Sequence, residues 1–128
     1  MLALLWAMPV AAAPADCPQP RFTQSAPAEF LVLENPVLPT SRHMTRARRL
    51  YEGSGRAVSC ATCHGRRGDG MGVLASQFNP PPRNFACART VTDIPDGQLF
   101  WIIRYGSPDT AMPAHPDYSD DDIWLLVS

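Results

Sequence analysis

Three stretches of this chain set apolar residues at helical spacing, and proline- and glycine-rich sequence separates them. The first opens at Thr40 or Ser41, either of which can cap it. It brings Met44, Ala47, Leu50 and Tyr51 onto one face before Gly53 ends it. The second runs from about Asp96 to Tyr105. Leu99, Phe100, Trp101, Ile102 and Ile103 make it apolar over most of its surface, which predicts burial on more than one side, and Gly106 terminates it. The third begins with Ser119 and Asp122 at capping-box spacing, with aspartate where glutamate or glutamine is usual, and turns Ile123, Trp124 and Val127 inward. No stretch has the strict alternation of a half-buried strand, so the pattern predicts an all-α chain of short helices and long loops.

Between the helices the sequence resists regular structure. Residues 16–39 form a proline-rich extension whose one apolar run, at 30–33, is closed off by Pro36 and Pro39. Residues 79–85 read Asn-Pro-Pro-Pro-Arg-Asn-Phe and must be an extended strap. At the start, an apolar run over residues 2–8 leads to Ala13-Pro14-Ala15, the small-x-small form of a cleavage site before Asp16. Residues 1–15 are therefore expected to be a secretion signal; the run is too short to span a bilayer. No Lys or Arg precedes it, so the natural start is expected farther upstream. Cys17 follows Asp16 rather than a small residue, which argues against a lipid anchor. Once the leader is removed roughly 110 residues remain, enough for one domain but not for a large core of its own.

Cys60-Ala61-Thr62-Cys63-His64 changes this picture most. Cys-x-x-Cys-His is the attachment signature of a covalently bound c-type haem: two thiols spaced to add to the two vinyl groups of one porphyrin, then a histidine to ligate its iron. A zinc site would need a second ligand pair, and the other cysteines, Cys17 and Cys87, stand alone. A thioredoxin-like redox pair would need a βαβ context, whereas Arg-, Gly- and Pro-rich sequence follows. One haem c, with iron, is thus the expected cofactor. It supplies the missing apolar mass and predicts that the 96–105 helix lies between haem and another helix. The glycines at 65, 68, 70 and 72 would let the chain pass close to the porphyrin edge.

The second axial ligand is expected in Thr110-Ala111-Met112-Pro113, where Pro113 fixes the backbone just past Met112. A thioether favours ferrous iron and raises the potential into a range suited to electron transfer. Met44 is better explained as helix core, Met71 lies too near His64 in sequence, and Met1 and Met8 belong to the leader. His115 is the serious rival, with a solvent-facing loop histidine as its ordinary reading.

Export would put Cys17 and Cys87 in an oxidising compartment, where they either pair, tying the extension to the loop after the haem motif, or remain free. All 11 basic residues are arginine, and the net charge is −1. Nothing in that balance calls for nucleic acid as a partner. Residues 40–67 hold seven arginines against Glu52, and residues 93–122 hold seven aspartates against Arg104. The segregation predicts either a molecular dipole that orients encounter with a redox partner or simply solvated helix faces. Arg83 and Arg104 are the candidates to neutralise haem propionates, because arginine offers a planar fork to a carboxylate.

Taken in order, Leu50-Tyr51-Glu52, the haem motif through Gly65, Gly68-Asp69-Gly70, Pro82-Arg83-Asn84-Phe85, the 99–106 segment and Thr110-Ala111-Met112-Pro113 resemble the class I c-type cytochromes, particularly the bacterial periplasmic branch. The resemblance covers residues 40–128. It implies the cytochrome c fold, helical and wrapped round one haem, with the N- and C-terminal helices crossing. It makes Cys60 and Cys63 the thioether attachments, His64 the proximal ligand and Met112 the distal one. It also implies that a carbonyl of the 80–82 strap, such as that of Pro82, accepts from the other nitrogen of His64.

Three departures stand out. Residues 53–56 lengthen the loop before the motif, and the last helix is short, so that either the chain is truncated or the crossing contact is reduced. The extension has no counterpart in the minimal fold, and is either a docking arm or a loose tail. The function implied is periplasmic one-electron transfer rather than catalysis, with donor and acceptor proteins as partners. The alternatives are a haem subunit of a larger periplasmic or membrane-associated oxidoreductase and, from a different class, a ligand-binding or catalytic haem protein.

Overall fold

The computed structural model describes residues 16–54, 56 and 58–128; the leader read at residues 1–15 lies outside them. The expected caps form. The Thr40 hydroxyl accepts from the His43 N–H at 3.2 Å and opens helix α2, Ser41–Tyr51. The Ser119 hydroxyl accepts from the Asp122 N–H at 3.1 Å and opens the last helix, Asp120–Val127. Each satisfies one of the orphan donors of a first helical turn. In chain order the helices are α1 (Ala28–Leu31), α2, α3 (Cys60–His64), a 3-10 turn at Ala75–Gln77, α4 (Ala88–Val91), α5 (Asp96–Tyr105) and α6 (Asp120–Val127). No strand occurs among the described residues, and none of their helices is long and apolar enough to cross a membrane.

Although α6 is short, it packs along both α2 and α5, so the crossing contact is kept. Ile123 and Trp124 are buried with Phe100 and Tyr118, and Leu50, Ile103 and Val127 close round them half-buried. The Phe100 and Trp124 rings lie 4.4 Å apart at their centroids, a tilted aromatic pair at the middle of the core. In helix α5, packed by α1 on one side and α6 on another, Gly97, Gln98 and Phe100 are buried and Leu99, Trp101, Ile102 and Ile103 are half-buried.

The extension corrects the expectation of a loose tail: it folds back onto the body. Phe30, in α1, stacks on Phe100 at 6.3 Å and meets Tyr105 edge-on at 5.8 Å. A Cβ on Gly97 would run into the Phe30 carbonyl, so only glycine permits α1 to approach α5 this closely. Polar groups complete the seam. Gln98, fully buried, accepts from the Ala26 N–H at 2.7 Å and donates to the Gln24 carbonyl at 3.0 Å. Asn35 donates to the Trp124 carbonyl at 2.9 Å and takes the Asp96 carboxylate on its N–H at 3.0 Å. At the outer end, Cys17 and Cys87 face each other with Cα atoms 5.7 Å apart and sulfurs at bonding distance.

The two charge blocks, separate in sequence, fold onto each other because α2 lies on α6. Arg46 meets Asp122 at 2.7 Å and Arg56 pairs with Asp117, while Arg104, the one arginine within the acidic block, pairs with Asp120. A dipole built from segregated blocks is thereby partly cancelled. Burial would push the Asp122 carboxyl up, but hydrogen bonds from Arg46 and Ser119, with the Arg46 charge, outweigh it and hold the group below the usual carboxylate range. Its stabilisation is therefore complete above the unfolded value of about 3.9 and is lost as pH falls through the lower folded value. Arg46 is largely exposed, so the contribution stays below about 1 kcal/mol. Asp122→Asn should lower stability to urea at about pH 7 and lose that deficit progressively as the pH falls below about 3.9; a deficit independent of pH would detach it from the ion pair.

Candidate haem-attachment site

A reciprocal cap nucleates the motif helix. Ser59 and Thr62 each accept, through the side-chain oxygen, from the other's N–H at 3.2 Å, which lets a helix of only five residues form. Within that single turn Cys60 and Cys63 stand three residues apart, hence on neighbouring positions of one side, with His64 next. Neither cysteine is in a disulfide, both are half-buried, and burial pushes both thiols up.

His64 is held from two sides. Its Nδ1 lies 3.0 Å from the Arg83 carbonyl, and its ring stacks on Phe85 at 4.7 Å with an interplanar angle of 26°. A carbonyl can only accept, so Nδ1 carries the proton and Nε2 the lone pair. Burial pushes the imidazole's pKa down, against the opposing pull of the Arg83 carbonyl, and favours the neutral ring that binds metal. The carbonyl that takes Nδ1 is thus Arg83's, one residue past the 80–82 strap. The Pro82 carbonyl accepts from Gln19 Nε2 at 3.1 Å instead.

Backbone contacts draw the strap against the motif. Gly70 donates to the His64 carbonyl at 2.8 Å, and a Cβ there would sit 2.9 Å from the Pro82 oxygen; its φ of +76° also suits glycine. The Tyr51 hydroxyl donates to the Gly65 carbonyl at 2.7 Å, tying α2 to the end of α3. Burial, then the neighbouring Cys60 and Asp69, push the Tyr51 phenol far up, so it stays a donor.

The loop after α5 fixes the main chain of Met112 at both ends. Its N–H donates to the Thr110 hydroxyl at 3.1 Å, its carbonyl accepts from the Ser107 N–H at 3.1 Å, and the Thr110 hydroxyl in turn donates to the Ser107 carbonyl at 2.8 Å. Met112 is half-buried, as is His115, whose ring is pushed toward neutrality by burial and by Arg56. The arginine forks close on the chain's own carbonyls. Arg83 donates to Pro20 and Thr90 at 2.9 and 2.8 Å, and Arg104 donates to Tyr118 at 2.7 Å and pairs with Asp120.

A neutral histidine with a free Nε2, beside two unpaired thiols on one helical turn, fits a covalently held haem. The family model described as cytochrome C oxidase, cbb3-type, subunit III matches residues 43–128. The chain belongs to this family of c-type cytochrome domains. Among solved structures, the cytochrome is similar to a chain of the reducing HAO-like protein complex of Kuenenia stuttgartiensis, with 26% identity, a TM-score of 0.60 and 76% of the present chain covered. It spans 45% of the length of that chain. No curated protein sequence matches it. As a c-type cytochrome it carries haem c and transfers electrons.

Sequence reasoning missed Gln19, Asn84 and the Phe85–His64 stack. Phe85 was within reach, as the aromatic side chain three residues past Pro82 in the segment that follows the motif. Gln19 carried no signal beyond its place two residues after Cys17.

Proposed function

We propose that this cytochrome is a one-electron carrier of the periplasm, holding a single haem c through thioethers from Cys60 and Cys63 with His64 and Met112 as axial ligands. The observation that carries the reading is the His64 Nδ1–Arg83 carbonyl contact at 3.0 Å, which leaves Nε2 as the free donor beside the two thiols. When bound, the haem supplies a metal centre that cycles between ferric and ferrous states. The protein orients the imidazole through Arg83 and Phe85 and presents apolar surface from Leu99, Trp101 and Ile102. The Ser107–Thr110 hydrogen bonds hold the loop that bears Met112, whose soft sulfur favours the ferrous state. With both axial positions filled, no place is left for a substrate. Export supports closure of the Cys17–Cys87 bridge, whose residues already stand at bridging distance.

A second reading makes the chain the haem module of a larger oxidoreductase. It is favoured by the similarity to a chain more than twice the matched length, in a structure described as a protein complex. Copurification of a salt-resistant partner would select it over free diffusion. Carbon monoxide added to the reduced, exported holoprotein tests what both readings share. No change in the Soret band is expected; a shifted band would mean an open iron and would replace electron transfer by ligand binding or catalysis.

A further inference from the structure

Gln19 is buried, although the proline-rich extension around it is mostly exposed. Its side chain bridges the two residues that flank the His64 acceptor. Oε1 takes the Asn84 N–H at 2.6 Å and Nε2 donates to the Pro82 carbonyl at 3.1 Å. Its main chain is fastened as well: the Gln19 N–H donates to the Thr90 hydroxyl at 3.1 Å, and its carbonyl takes the Arg83 guanidinium at 3.4 Å. One carboxamide therefore clamps positions 82 and 84 while the carbonyl of position 83 faces the imidazole. The Cys17–Cys87 pair and the Arg89 contact to the Cys17 carbonyl, at 3.1 Å, anchor the clamp two residues away.

We infer that Gln19 is a positioning residue for the proximal histidine: the extension uses it to hold the Arg83 carbonyl in register with His64 Nδ1 and so to set the electron donation of the imidazole to iron. The inference rests on His64 being the proximal ligand. The physical link is direct. A donor–acceptor contact held at good geometry gives the imidazole more anionic character, and a more basic ligand stabilises ferric iron. Three prolines precede Arg83, and their missing N–H groups leave the strap few hydrogen bonds of its own. A side chain from elsewhere supplies them, and no other side chain among the described residues bonds to the main chain of both Pro82 and Asn84.

The test compares two isosteric variants in the holoprotein. Gln19→Met keeps the volume and removes both bonds to the strap. Gln98→Met removes the equivalent pair of bonds from the other buried glutamine, loosening the extension at Ala26 and Gln24 without touching residues 82–84. Midpoint potential is read by redox titration, and exchange of the His64 Nδ1 proton by NMR. The expected result is an upward shift of potential and about fivefold faster exchange in Gln19→Met, the factor for losing one ordinary buried hydrogen bond, with neither change in Gln98→Met. An unchanged or lowered potential in Gln19→Met, or an equal shift in both variants, overturns the inference. An undiminished yield of haem-loaded protein with an unchanged spectrum after His64→Ala would instead overturn the ligand assignment beneath it.

Discussion

Replacing Met112 by alanine should leave the haem covalently attached, lower the midpoint potential and let the reduced iron bind carbon monoxide. Thioethers at Cys60 and Cys63 would not depend on the distal ligand, so attachment should survive. Loss of a soft sulfur removes the preference for ferrous iron, and a water or nothing in its place favours ferric. Axial ligands move haem potentials over ~0.8 V, so a drop on the order of 100 mV or more is expected. Thr110→Val, which removes the hydroxyl that accepts from the Met112 N–H and braces Ser107, should give a weaker form of the same change. An unchanged potential in Met112→Ala would remove Met112 from the ligand set and direct attention to His115, the half-buried histidine three residues on.

His64→Ala should fail earlier, at maturation. The same imidazole that would ligate iron is wedged between the Arg83 carbonyl and the Phe85 ring, so its loss removes both the metal bond and the surface against which the strap packs. Substitutions behind a ligand already cost 10–100-fold in metal affinity, so deleting the ligand should cut the yield of haem-loaded, exported protein by about tenfold or more. His115→Ala is the matched control and should leave both yield and spectrum unchanged. Haem stain and intact mass of the exported chain read the outcome, and an undiminished yield from His64→Ala would contradict the assignment.

Local signals were legible in the sequence and distant polar ones were not. Thr40 and Ser119 announce α2 and α6 because a cap acts within three residues. The haem motif is equally local, its helix closed by Ser59 and Thr62 on either side of Cys60. The acceptor for His64 is the Arg83 carbonyl, just past the residues 80–82 expected to supply it. The register of an extended strap is set by what grips it, here Gln19, and nothing within the strap encodes that partner. The extension was unreadable for the same reason: Gln19, Asn35 and Gln98 bond to main-chain groups, which leave no periodicity or composition to detect. The charge blocks misled because spacing along the chain says nothing about α2 lying on α6, which joins Arg46 to Asp122 across 76 residues.

The docked extension also dictates an order of events. Its anchors on the body lie between 61 and 93 residues downstream. It is synthesised ahead of every group it bonds to, and long-range contacts of this kind are satisfied late because loop closure must precede them. The extension is therefore among the last segments to find its place, and the strap behind the haem motif is sealed only once it does.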